Sequence, residues 1–153
     1  MKNAPFVIII LIFSSNCSYK IEENFIFEEY TITMLHDGYQ QGKFSVTDVV
    51  KYYLKAIESV DENGPNLNSI ISVNPNALDI AKVLDSTLSK GEPLTSLFGI
   101  PVILKDNINT YDDMPTTAGS RIFANSYPSK NSWVAKKLVE ANGVIIGKAN
   151  LSE

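Results

Sequence analysis

Three short apolar runs, separated by segments of helical length, constrain the fold more than any other feature of the chain. They are "NSIISV" at residues 68–73, "GIPVIL" at 99–104 and "VIIG" at 144–147. Each is too short for a stable helix and rich in β-branched residues, so each is expected to form a strand. Between the first two lies "NPNALDIAKVLDSTLSKG", with Ala77, Ile80, Ala81, Leu84 and Leu88 on one stripe. Asn74 is the expected N-cap, Pro75 takes the first helical position and Gly91 closes the helix. Between the second and third lies "SWVAKKLVEANG", with Val134, Leu138 and Val139 on one side and Gly143 after it. Asn131 or Ser132 can cap it. Strands alternating with helices imply an α/β fold around a parallel sheet. The near-continuous run in "GIPVIL" predicts a strand covered on both faces.

Two more helices are expected upstream. Ile32, Leu35 and Tyr39 recur at helical spacing, and Gly42 is placed to end that helix. Ser45 followed by Asp48 forms a capping box for a second helix whose apolar face carries Val46, Val49, Val50, Tyr53, Leu54 and Ile57. Gly64-Pro65 breaks it. A long polar connection, residues 106–131, is expected to be functional or to contain local helical turns. Three strands make a thin sheet with an open edge, as in the front part of a larger domain.

The first residues have a different character. A weakly positive start, Met1-Lys2-Asn3, leads into the apolar run "PFVIIILIF" and then into "SSNCS". This layout is that of a secretory signal peptide over residues 1–17, so the protein is expected to be exported: secreted, periplasmic or lipid-anchored. The competing reading is a buried N-terminal strand or helix of a cytoplasmic protein. The run falls short of the roughly 20 apolar residues that span a bilayer. Cys17 either carries a lipid and anchors the chain to a membrane, or is an ordinary residue of a discarded leader.

Residues 18–153 then form the folded part. At 44% hydrophobic and 20% charged, the chain can bury a core and does not have the composition of a disordered protein. A net charge of −4 provides no basic footprint for nucleic acid. Cys17 is the only cysteine and His36 the only histidine. One cysteine leaves no disulfide framework and no Cys-based metal site within the chain, and His36, in a helical pattern far from any acid–serine arrangement, argues against a His-based triad or zinc site. His36 itself reads as a surface or satellite residue of the first helix.

The question the chain poses is Lys105, set directly after Ile100-Pro101-Val102-Ile103-Leu104. Burying an ammonium is costly unless it is paired or neutral. Lys105 can snorkel to solvent or pair with Asp106. It can also act as a general base. A lysine in water has a pKa of about 10.4, and burial lowers it toward the range useful at neutral pH. The C-terminal end of an interior strand is where open α/β sheets bind ligands, and strand alternation directs Asp106 to the other side. Lys148, before "ANLSE", reads as a solvated or ion-paired lysine at a strand end.

These motifs taken in order carry a resemblance. "LFGIPVILKDNINTYDDMPTTAGS", then "WVAKKLVEANGVIIGKANLSE", preceded by "LNSIISVNPNALDIAKVLD", closely resemble the N-terminal part of the amidase signature family of hydrolases. The resemblance extends over roughly residues 30 to 153. It implies an α/β/α fold around a mixed, largely parallel sheet, with residues 18–153 an incomplete N-terminal part of the amidase domain. The activity it implies is hydrolysis of small-molecule or peptide amides by a Ser–Ser–Lys triad, without a cofactor.

By that resemblance Lys105 is the catalytic lysine. Thr116, Thr117, Gly119 and Ser120 match a segment close to the active site, although turn chemistry accounts for the same residues. The family's two serines lie in a Gly/Ser-rich loop, and neither "TTAGS" nor "SSNCS" has Gly-Ser-Ser-Gly character. The chain by itself is therefore expected to be inactive. Lys105 is expected to be buried in a cleft of the complete fold and more exposed in this chain alone. Many family members have Asp before the last helix, where "KNSW" stands here. Two other functions fit the same motifs: the A subunit of a glutamyl-tRNA amidotransferase, and a non-catalytic truncated remnant.

Overall fold

The computed structural model describes residues 27–151. The chain forms α1 (Ile32–Gln40), α2 (Val46–Ala56) continuing into a π-helical stretch (Ile57–Glu62), β1 (Ile70–Val73) and α3 (Ala77–Ser89). These are followed by β2 (Pro101–Lys105), a 3-10 turn (Arg121–Phe123), α4 (Trp133–Glu140) and β3 (Val144–Ala149). The leader and Cys17 lie outside the described residues.

Local chemistry sets the first helices. Thr31 caps α1 by accepting from Met34 N, and Gly42 follows its end at φ +63°. Ser45 and Asp48 form the expected capping box. A second carboxylate reaches the same helix end from α3: Asp85 accepts from Val46 N at 2.7 Å, Thr47 N at 3.1 Å and Thr47 Oγ1 at 2.6 Å. A charge held at a helix N-terminus this way contributes about 1 kcal/mol and ties α2 to α3. Phe44 lies directly over Gly38, where a Cβ would stand 2.0 Å from its Cζ, so only glycine lets the ring close on α1.

The sheet order is β1-β3-β2. β2 runs parallel to β3, in register from Pro101 opposite Val144 to Lys105 opposite Ala149. β1 runs antiparallel, from Ile70 opposite Ala149 to Val73 opposite Gly147. The sheet is thus mixed. Gly147 is required at this crossing, since a Cβ there would meet Ser72 O at 2.8 Å.

Helices cover both faces. On one, α1, α2 and α3 pack Leu35, Val49, Val50, Ala81 and Leu84 against Val144 and Ile146 of β3. On the other, Ala135 of α4 packs with Met114, Leu104 and Ile145. This is the three-layer α/β/α arrangement.

The structure corrects four local expectations. β2 is not covered on both faces: Ile103 is 43% exposed, and Leu104 is the β2 residue that reaches the core. The strand lies at the sheet edge among the described residues, and β3 takes the interior place, buried from Val144 to Lys148. Asn74 does not cap α3, which starts at Ala77. It is buried and stitches the end of β1 to β3, donating from N to Ile146 O and from Nδ2 to Ile145 O, while its Oδ1 accepts from Asn76 N. On α4 it is Ala135 that is buried, whereas Val134 and Val139 are 45% and 50% exposed. Ser132 is its cap. Last, Lys148 is fully buried, and it has no ion pair among the described residues.

Candidate active site

The parallel strands β2 and β3 end side by side, and the connection after β2 folds back over those ends. Asp106 N donates to Ala149 O at 3.0 Å, continuing the pairing one residue beyond Lys105. The polar side chains of both strand ends therefore share one end of the sheet, the position where open α/β sheets bind ligands.

Lys105 is exposed, and its Nζ donates to Asn150 O at 2.6 Å. It makes no ion pair with Asp106, whose carboxylate is engaged elsewhere. Asp106 is fully buried. Its Oδ2 accepts from Thr117 N at 3.0 Å, from the Thr117 hydroxyl and, at 3.5 Å, from Gly119 N, while its main-chain O accepts from Ala118 N at 3.1 Å. Its Oδ1 has no hydrogen-bond partner among the described residues.

Lys148, buried on β3, donates from Nζ to Pro115 O at 2.8 Å and to Thr116 Oγ1 at 2.6 Å. Burial pushes its pKa below the ordinary lysine value, against the opposing pull of the Asp112 and Asp106 charges. Ala118 and Gly119 follow at φ +49° and +72°, two consecutive left-handed residues that turn the loop tightly. At Gly119 a Cβ would come within 3.5 Å of Asn150 Oδ1, so the loop lies against the residue that receives Lys105.

Of the residues singled out from sequence, Lys105, Thr116, Thr117 and Gly119 are brought together at the strand ends. Ser120 stands one step further, at the start of the 3-10 turn, where its hydroxyl makes no cap bond. His36 is remote from this cluster, with Nε2 against Phe98 O at 3.1 Å. Asp106 and Lys148 are the two buried members that sequence reasoning missed. A signal for Lys148 was present: "VIIGK" repeats the pattern of an apolar run closing on lysine that drew attention to "PVILK". No cluster of metal-ligating side chains occurs among the described residues. A groove of about 570 Å³ lined by Asn74, Ile80, Val83, Val139 and Ile145 lies elsewhere, and none of the strand-end residues lines it.

Comparison with known proteins places this geometry in context. The sequence pattern of the family described as Amidase matches residues 48–153. A putative amidase of Schizosaccharomyces pombe is 39% identical over 131 residues, covering 86% of this chain and 22% of that protein. The glutamyl-tRNA(Gln) amidotransferase A subunit of Alkaliphilus metalliredigens is 39% identical over 127 residues, covering 82% of this chain and 25% of that protein. Among solved structures, the native peptide amidase of Stenotrophomonas maltophilia superimposes with a TM-score of 0.79 at 35% identity, over 83% of this chain and 26% of its own. The chain thus spans about a quarter of the length of the relatives it matches.

Proposed function

This chain belongs to the amidase family, and from that premise we propose that it forms the N-terminal part of an exported hydrolase cleaving carboxylic amide C–N bonds, with Lys105 as the general base of a Ser–Ser–Lys triad. The observation that carries the reading is the placement of Lys105 at the C-terminal end of β2, beside β3, with its Nζ on Asn150, the residue against which Gly119 of the loop lies. The substrates are small-molecule or peptide amides, a class supported by the likeness to a peptide amidase at 35% identity.

The chemistry follows from the hydrogen bond Lys105 makes. A neutral amine that donates one proton to Asn150 O keeps its lone pair free to accept from a hydroxyl. In the triad that hydroxyl belongs to a bridging serine, which in turn takes the proton of the nucleophilic serine as it attacks the amide carbonyl. On collapse of the tetrahedral intermediate the same relay returns the proton to the leaving nitrogen. Thr116, Thr117 and Gly119 support the site as residues of its wall. The chain contains no Gly/Ser-rich loop to supply either serine, so the 153 residues alone are without turnover.

The test is to read the coding DNA past codon 153 and to assay the product on a simple aryl amide. An in-frame Gly-Ser-Ser-Gly loop, with turnover abolished by Lys105→Ala, is the expected result. Turnover that survives Lys105→Ala overturns the general-base assignment. A genuine stop, with no turnover, favours the non-catalytic remnant.

The 39% identity to an amidotransferase A subunit supports a second reading, a cytoplasmic protein of that kind. The apolar leader weighs against it, because export separates such a protein from its partners. Intact mass of the mature protein distinguishes the two. Loss or lipidation at residues 1–17 supports export, possession of an unmodified Met1–Cys17 the second reading.

A further inference from the structure

We propose that Lys148 is a positioning residue for the Lys105 site: it holds the loop Pro115–Gly119 down on the strand ends and, through Asn150, sets the direction of Lys105 Nζ. The proposal takes its functional meaning from the reading of Lys105 as general base, but its geometry can be tested without turnover.

The chain of contacts is continuous. Lys148 grips Pro115 O and Thr116 Oγ1 from β3, while Asp106 grips the next residue, Thr117, from the end of β2. Two buried side chains, one on β3 and one directly after β2, thus hold consecutive residues of one loop, and Thr116 N is tied further to Ser126 O at 2.8 Å. The loop then turns at Ala118 and Gly119 onto Asn150, whose main-chain oxygen receives Lys105. Asn150 N is bonded to Ser69 O at 2.7 Å, so its backbone is fixed on the far side as well.

A lysine is an unusual choice for a purely structural pin. Lys148 is fully buried, and no carboxylate lies within ion-pair distance of it among the described residues. An apolar side chain would fill the volume without the desolvation cost, and what it could not do is bind the carbonyl of Pro115 and the hydroxyl of Thr116 together. The advantage retained is the placement of this loop.

The experiment compares Lys148→Met, Thr116→Val and Thr116→Ser in the 153-residue chain by NMR. In Lys148→Met and Thr116→Val, amide exchange at Thr117 and Gly119 is expected to rise by about tenfold or more, and the Lys105 Hε/Cε resonances to move. Asn74 NH, bonded within the sheet to Ile146 O, is expected to keep its protection. Thr116→Ser, which keeps the hydroxyl, should retain the wild-type loop. Thr116→Val removes one acceptor without emptying the buried site, so it keeps the test decisive if Lys148→Met does not fold. Loop exchange and Lys105 resonances that stay unchanged in Thr116→Val overturn the proposal. So does faster exchange of the loop and Asn74 together, which makes the contact one of general stability. Either failure leaves the outcome of the Lys105→Ala assay standing, and the reverse also holds.

Discussion

β2 and β3 end in the same way and in opposite surroundings. Each is an apolar run that closes on a lysine, the two run parallel, and they lie next to each other in register. Yet Lys105 is exposed and bound to a main-chain carbonyl, while Lys148 is fully buried and bound to a loop. The difference comes from position in the sheet. β3 has a strand on either side and a helical layer on each face, so whatever it carries is covered. β2 has one neighbour among the described residues, and its polar end remains open. A lysine on the covered strand can be spent on holding structure in place, whereas the one on the open strand stays available to an incoming group.

The comparison breaks first if the two lysines cost the same to remove. Lys148→Ala should destabilise the chain by about 2–4 kcal/mol, since it leaves a cavity and takes the donor from two part-buried acceptors. Lys105→Ala should stay within about 0.5 kcal/mol, as expected for an exposed side chain. Urea unfolding of both variants measures this, and equal costs would show that the burial contrast has no energetic content.

Asp106→Ala comes next, at about 1–3 kcal/mol, because it removes the acceptor for Thr117 and Gly119 inside a buried site. Its effect should couple to that of Thr116→Val, since both act on one loop. A double-mutant cycle that is additive within about 0.3 kcal/mol would separate the two grips.

Gly119→Ala sharpens the same point at smaller scale. A residue with a Cβ at φ +72° costs about 1 kcal/mol, and the loss should appear in thermal unfolding. No change would indicate that the turn over Asn150 relaxes freely.

The smallest effect is a slope with pH. Burial lowers the folded-state pKa of Lys148, so between that value and about 10.4 the unfolded chain binds more protons than the folded one. Stability contributed at this site therefore rises with pH through that window. Wild-type stability measured against Lys148→Met should climb as the pH rises toward about 10.4, and a flat or falling difference contradicts a buried lysine with no ion pair among the described residues.

How much was legible in the sequence follows the range of the interaction. The Ser45–Asp48 capping box, the Gly42 stop and the Ser132 cap each involve residues a few positions apart, and each was readable. Asp85 at the N-terminus of α2 was not, because the carboxylate comes from 38 or 39 residues away. The start of α3 was misplaced for a related reason. Asn74 is a good cap by type, but its side chain is drawn to the carbonyl of Ile145, and the helix begins two residues past Pro75. On α4, periodicity identified an apolar side, but the sheet receives Ala135 and leaves Val134 and Val139 in the open.

The candidate site divides along the same line. Its motifs at Lys105 and at Thr116–Ser120 could be read directly, as could the alternation of strands and helices that puts loops at the strand ends, because these depend on residue type and on periods of two and three to four residues. Which strand lies inside the sheet, which way β1 runs and which lysine is covered depend on contacts between residues separated by tens of positions. Such contacts are governed by packing of whole faces, and a strand's own residues do not specify how many neighbours it will have. That is why "PVILK" and "VIIGK", nearly interchangeable as local sequence, became an exposed strand end and a buried one.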